Sequence, residues 1–193
     1  ISVRAGLVHY LEGTATLDGK PVRMERAKFA TVKDGSTFTT QEGNAEVLLA
    51  PGAFLRMGKE SSIKMVSGLL SDTRIELAKG TALVEVLEMG KENKIQLNIG
   101  NSASLVQKPG LYSFDASNGS VRVFDGKLDV AVDGQTVELG RGREVFVGQT
   151  LAAGKFPVKT TNSLYDWSKT RSAMIAYANI AAARTMRDNG YRP

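Results

Sequence analysis

Cysteine is absent from this 193-residue chain, and histidine and tryptophan occur once each, as His9 and Trp167. Without cysteine there is no disulfide framework, thiolate zinc site, iron–sulfur cluster or cysteine nucleophile. A single histidine excludes a multi-histidine metal centre and leaves one imidazole for acid–base chemistry. No dense acidic loop is present to hold calcium. No glycine-rich loop opens a helix to cradle a phosphate, and no GxSxG elbow is found. The sequence therefore predicts no metal and no cofactor. No apolar run approaches the ~18 residues that can span a bilayer, so no membrane span is expected within it.

What is present is ordinary globular material with a surplus of turn residues. Apolar residues make up 42% and charged residues 23%, a balance that favours a folded core over disorder. Glycine occurs 20 times and proline 5 times, so glycine marks most chain reversals. The formal net charge is +5. Such an excess first serves solubility; beyond that it gives weak attraction to anionic envelope polymers, membrane surfaces or nucleic acid. Charge alone predicts no specific nucleic-acid partner. The chain opens on Ile1 rather than Met, as expected of a processed or trimmed product.

From residue 6 to about residue 150, short strand-like runs alternate with Asp18-Gly19, Asp34-Gly35, Glu42-Gly43, Pro51-Gly52, Lys79-Gly80, Pro109-Gly110, Asn118-Gly119, Asp125-Gly126, Asp133-Gly134 and Arg141-Gly142. Asp-Gly and Asn-Gly suit turns with positive φ, and Pro-Gly suits the centre of a type II turn. Between them Leu128, Val130 and Val132 alternate with Asp129 and Ala131, and Ile95, Leu97 and Ile99 with Gln96 and Asn98. That period marks half-buried strands. Leu83 opposes Val84 and Val86, which predicts a strand covered on both sides. Asp18-Gly19 and Asp133-Gly134 predict two-residue hairpins. The expected fold is all-β: many short strands in an irregular β-solenoid or sandwich-like stack of hairpins, over residues 1–158.

Residues 159–193 read as a helical extension. Asn162 or Ser163 is the expected N-cap, Asp166 lies near the positive end, and Arg184 and Arg187 near the negative end. Asn189-Gly190 is the expected stop. Leu164, Trp167, Arg171, Met174, Ala178 and Ala181 recur at three- and four-residue steps and form a stripe that must dock on the β-domain or on a partner.

No catalytic constellation emerges. His9 lies in an alternating strand with Glu12 as its near carboxylate in the chain, and reads as structural. Asp125 and Asp133 read as turn formers, and Asp125, Asp129 and Asp133 form no assignable catalytic pair. Gly140-Arg141-Gly142-Arg143 has the composition of a phosphate or RNA contact, but it sits between two strands and is simpler as a tight turn. Tyr112, Phe114 and Phe124 are expected in the sheet core. Trp167 reads as a packing anchor; with Arg171 it is the candidate interaction pair.

The series Gly13-Thr14-Ala15, Asp18-Gly19-Lys20-Pro21-Val22, Thr39-Thr40, Glu42 to Leu49 and Pro51-Gly52-Ala53-Phe54-Leu55-Arg56-Met57 resembles the opening half of a FecR domain. Ile75 to Val86 and Ser120 to Leu128 are similar to that family's later strands. The resemblance covers roughly residues 6 to 148, and a Trp167…Arg171 pairing also resembles the tails of FecR-like proteins. It implies a non-enzymatic, extracytoplasmic module, periplasmic in its usual setting, with a protein or envelope-polymer partner. FecR proteins proper join such a region through one membrane span to a cytoplasmic anti-sigma region. Here neither is found, and Lys108-Pro109-Gly110-Leu111-Tyr112 stands where the family has an arginine-glycine-threonine block. A free-standing envelope binding or scaffolding protein is the expectation. The alternative is a carbohydrate-binding or carbohydrate-active envelope protein, which needs an exposed aromatic strip or a carboxylate pair across a groove.

Overall fold

The computed structural model describes residues 4–24 and 29–188. The chain divides into two compact units, residues 1–160 and 161–193. The first is mostly β and the second is one helix.

Among the described residues, fifteen strands build the first unit. They are β1 (Leu7–Leu17), β2 (Lys20–Pro21), β3 (Thr37–Ala50), β4 (Ala53–Met57), β5 (Ser62–Leu69), β6 (Asp72–Lys79), β7 (Thr81–Val86), β8 (Ile95–Ile99), β9 (Ser102–Val106), β10 (Gly110–Asp115), β11 (Ser120–Asp125), β12 (Lys127–Val132), β13 (Gln135–Gly140), β14 (Arg143–Phe146) and β15 (Gly154–Lys155). The stack of hairpins takes the form of one continuous, curled sheet, a half-barrel. Its order is β13-β12-β9-β8-β6-β5-β3-β4-β7-β10-β11-β14-β15, with β1 on β3 and β2 on β1. All pairs of named strands are antiparallel except β6 with β8.

Strand β3 is the keel. Its first residues, Thr37 to Thr39, pair with β5, and its later residues, Ala45 to Ala50, pair with β4. From there the chain adds strands to the two margins in alternation. Hairpins β5–β6, β8–β9 and β12–β13 extend one margin; β4, β7, β10–β11 and β14–β15 extend the other. The curl brings β13 back near β11 and β14.

The alternation read in the sequence becomes the inner face of this curl. Ala45, Val47, Leu55, Met57, Ile75, Leu77, Val84, Leu97, Tyr112, Phe114, Val121, Val123, Leu128, Val130 and Val145 are buried together there. Leu83 is buried as well as Val84 and Val86, so β7 is covered on both faces as its sequence predicts. The hairpins at Asp18-Gly19 and Asp133-Gly134 form, with φ near +50° and +76° in the first and +48° and +80° in the second. Both central residues are left-handed, as a type I′ turn requires.

Two glycine signals carry a different meaning from the one expected. Glu42-Gly43 is no turn: β3 runs straight through it, and Gly43 lies opposite Gly13 of β1 at a bulge. A Cβ built on Gly43 would stand 1.9 Å from the Glu12 carbonyl oxygen, and one on Gly13 would stand 2.1 Å from that of Glu42. The pair is needed because two backbones touch, and a local pattern cannot show that. Pro109-Gly110 likewise opens β10 instead of centring a type II turn; Gly110 faces the Asp125 carbonyl with no room for a side chain.

The second unit is α1 (Ser163–Asp188). The Asn162 side-chain oxygen accepts the Tyr165 N–H at 2.9 Å, which makes Asn162 the N-cap. Asp166 and Arg187 sit at the ends that suit their charges. The expected stop at Asn189-Gly190 lies outside the described residues. No helix among the described residues is long and apolar enough to cross a membrane.

Candidate functional site

The face of the sheet opposite the core carries an ordered row of polar residues. Residues directly opposite in a ladder share a face. Tyr10 lies opposite Glu46, Glu46 opposite Arg56, Arg56 opposite Leu83, Leu83 opposite Ser113, Ser113 opposite Arg122, and Arg122 opposite Glu144. Seven strands thus contribute one side chain each to a transverse line: a Glu–Arg pair toward one side, an Arg–Glu pair toward the other, and Leu83 with Ser113 between.

The Glu46–Arg56 end is buried. Both side chains are fully inaccessible. Arg56 Nε donates to Glu46 Oε2 at 2.9 Å, and its terminal nitrogen donates to Glu85 on the neighbouring strand. The guanidinium also lies over the Phe54 ring, 5.2 Å from its centre. Removing charge from water is tolerated because each carboxylate meets the guanidinium at hydrogen-bond distance. His9 completes the group. It sits at the β1 bulge between Val8 and Tyr10, and its Nδ1 is 2.6 Å from Glu46 Oε1. A carboxylate only accepts, so Nδ1 carries the hydrogen of that bond. Both Glu46 oxygens are thus engaged, and the carboxylate that meets His9 is Glu46, not Glu12.

At the other end Arg122 Nε donates to Glu144 Oε2 at 2.7 Å, and its guanidinium lies 5.3 Å from the centre of the Phe156 ring. Phe124 meets Phe156 edge-on at 5.1 Å. This corrects one expectation: Tyr112 and Phe114 are in the core, whereas Phe124 follows inward-facing Val123 and is only half-buried, against Phe156.

The other candidates are dispersed. Asp133 accepts from Asn101 Nδ2 at 2.8 Å, and Asp129 accepts from Gln107 Nε2 at 2.9 Å. Asp125 ends β11. No group of three or more potential metal ligands occurs among the described residues. Trp167 and Arg171 lie on α1, both half-buried. The stripe they were expected to share fades along the helix: Leu164 is buried, but Met174, Ala178 and Ala181 are exposed, and every described position from Ala176 onward is exposed.

Glu46, Arg56 and Glu85 were not singled out as a group. Their one local signal is a charge inside an apolar run, Arg56 in Ala53-Phe54-Leu55-Arg56-Met57. The partners lie 10 and 29 residues away, so only the ladder brings them together.

No family model matches the chain, and no curated protein matches it in sequence. Solved structures do. Two crystal structures of a "putative anti-sigma factor" from Parabacteroides distasonis ATCC 8503 each align with a TM-score of 0.54, at 14% and 13% identity. Each alignment covers 64% of this chain and 61% of the other, so the chain spans less than two thirds of that protein's length. At such identity the likeness is one of fold.

Proposed function

We propose that this chain is a non-catalytic, extracytoplasmic module of the FecR type that binds or scaffolds a partner in cell-envelope signalling or regulation. The observation that carries this reading is the curled sheet itself, whose fold is shared with the anti-sigma factor structures. The strand and turn motifs that resemble FecR domains fall within that sheet. The side chains suited to chemistry support a binding role: His9, Glu46, Arg56 and Glu85 are committed to one another, and Arg122 to Glu144.

A protein partner is supported by α1. Met174, Tyr177 and Ile180 follow one another at three-residue steps and are 56%, 76% and 52% exposed. Large apolar side chains left in water at helical spacing favour association. The test is fractionation of the natural full-length protein, combined with photo-crosslinking from position 177 in living cells. Recovery outside the cytoplasm, with a crosslink to an envelope protein that Met174→Glu and Ile180→Glu abolish, is the expected result. Recovery in the cytoplasm alone sinks the reading.

A further inference from the structure

The Gly140-Arg141-Gly142-Arg143 segment makes the turn between β13 and β14, where the two margins of the sheet approach each other. Its sequence has the look of an anion contact, and the fold adds to it. Arg143 stands directly opposite Lys155 of β15, a like-charge pair in a ladder. Such pairs oppose folding unless a counter-charge is supplied. The Gly142 carbonyl accepts the Phe156 N–H at 3.1 Å, and a Cβ built on Gly142 would lie 3.7 Å from the Val158 side chain. Arg143 is therefore held beside Lys155, with Arg141 and Lys159 in the turns that adjoin them. All four are exposed. Among the described residues none of the four takes part in an ion pair. Of the neighbouring carboxylates, Glu144 is held by Arg122, and Asp125 makes no ion pair with any of the four among the described residues.

From this geometry we infer that the Arg141, Arg143, Lys155 and Lys159 cluster is a docking surface for an acidic polysaccharide, a chain bearing carboxylates at regular intervals. Arg143 and Lys155 face each other about 5 Å apart across the ladder, and Arg141 and Lys159 sit in the turns that adjoin them, so the charge is spread over several residues, which suits a polymer better than a single anion. The surroundings select the class of polymer. None of the exposed large apolar side chains lies between residues 135 and 160, so the patch lacks the central anchor of a protein interface and the wedge that enters a lipid surface. Phe156, the aromatic beside it, is buried and offers no platform for stacking a base. The inference is independent of the signalling role proposed above; either can fail without the other.

The test uses the full chain and polygalacturonate as the probe, with neutral dextran, duplex DNA and phosphatidylglycerol vesicles as separate arms. Binding to polygalacturonate is expected, with none to dextran, and log K should fall against log salt with a slope of about −3. The variant Arg141→Ser/Arg143→Ser/Lys155→Ser/Lys159→Ser should abolish it. Removal of the same charge elsewhere, at Lys59, Lys64, Lys79 and Lys91, should leave the slope unchanged. If the fourfold variant does not fold, Arg143→Gln alone should lower the slope by about one. Absence of binding at low salt, equal loss in the two fourfold variants, or tighter binding to DNA or vesicles than to polygalacturonate overturns the inference.

Discussion

Arg56 holds two carboxylates, Glu46 fully buried beside it and Glu85 largely so. Removing it leaves both without their cation. Arg56→Ala is expected to lower stability by about 3–5 kcal/mol, the range for breaking a buried pair from one side. Urea unfolding checks this; a loss below about 1 kcal/mol would mean that water reaches the group. Tyr112 is a second such residue. Its hydroxyl donates to the Lys108 carbonyl at 2.5 Å and accepts the Lys127 N–H at 3.0 Å, joining the approach to β10 with the start of β12. Tyr112→Phe strands both groups and should cost about 1–3 kcal/mol. Burial raises the phenol above its ordinary value of 10.0, because the phenolate loses its water. A raised folded value means that stability is intact below pH 10 and is lost as pH rises through the folded value. Alkaline titration of unfolding should show that loss in the native protein and a flatter curve in Tyr112→Phe. Gly126 belongs to the same joint: at φ +94°, a Cβ there would stand 2.2 Å from the Tyr112 hydroxyl.

Strands β1 and β3 depend on the two facing glycines. Gly13→Ala and Gly43→Ala each force a non-glycine residue to positive φ, which alone costs about 1–3 kcal/mol, and each drives a methyl into the opposite carbonyl. Thermal melts of the two single variants should both fall; an unchanged melt in either would show that the bulge can reopen. A carboxylate ties the segment ahead of β3 to β5. Asp34 is held below its ordinary value of 3.8, first by the hydrogen bond from Arg4 and also by the Gly68 N–H at 2.8 Å. A depressed folded value means that its contribution is present above pH 3.8 and is lost as pH falls through the folded value. Asp34→Asn should remove that part of the acid transition, read as the change in urea midpoint between neutral and acid pH. These elements also show what a linear sequence displays. Hairpins at Asp18-Gly19 and Asp133-Gly134, the alternation of β8 and β12, and the Asn162 cap are all decided by neighbours within a few residues, and were legible. Gly43, Gly110 and the Glu46–Arg56–Glu85 group were not. Each answers to a backbone or charge brought close by the ladder, and no local pattern encodes that partner. The helix was legible as a helix, but what covers its stripe beyond buried Leu164 was not, since periodicity gives a face and not a covering.

The molecule as a whole is dominated by pairings between strands distant in sequence, such as β3 with β5, β7 with β10, β9 with β12 and β11 with β14. Loops must close before such contacts form, so refolding of the chain at 25 °C should take milliseconds to seconds. Stopped-flow far-UV dichroism would report it; completion within microseconds would contradict it. The alternating addition of strands to the two margins has a further consequence. Every strand after β3 lands on an edge already completed by residues that precede it, so nothing laid down later has to be threaded beneath something laid down earlier. The sheet can accrete in the order of synthesis, widening left and right in turn. Run backwards, the same order governs mechanical failure: a pull on the C-terminal side strips β15 and β14 from one rim, then β13 and β12 from the other, and reaches the keel last.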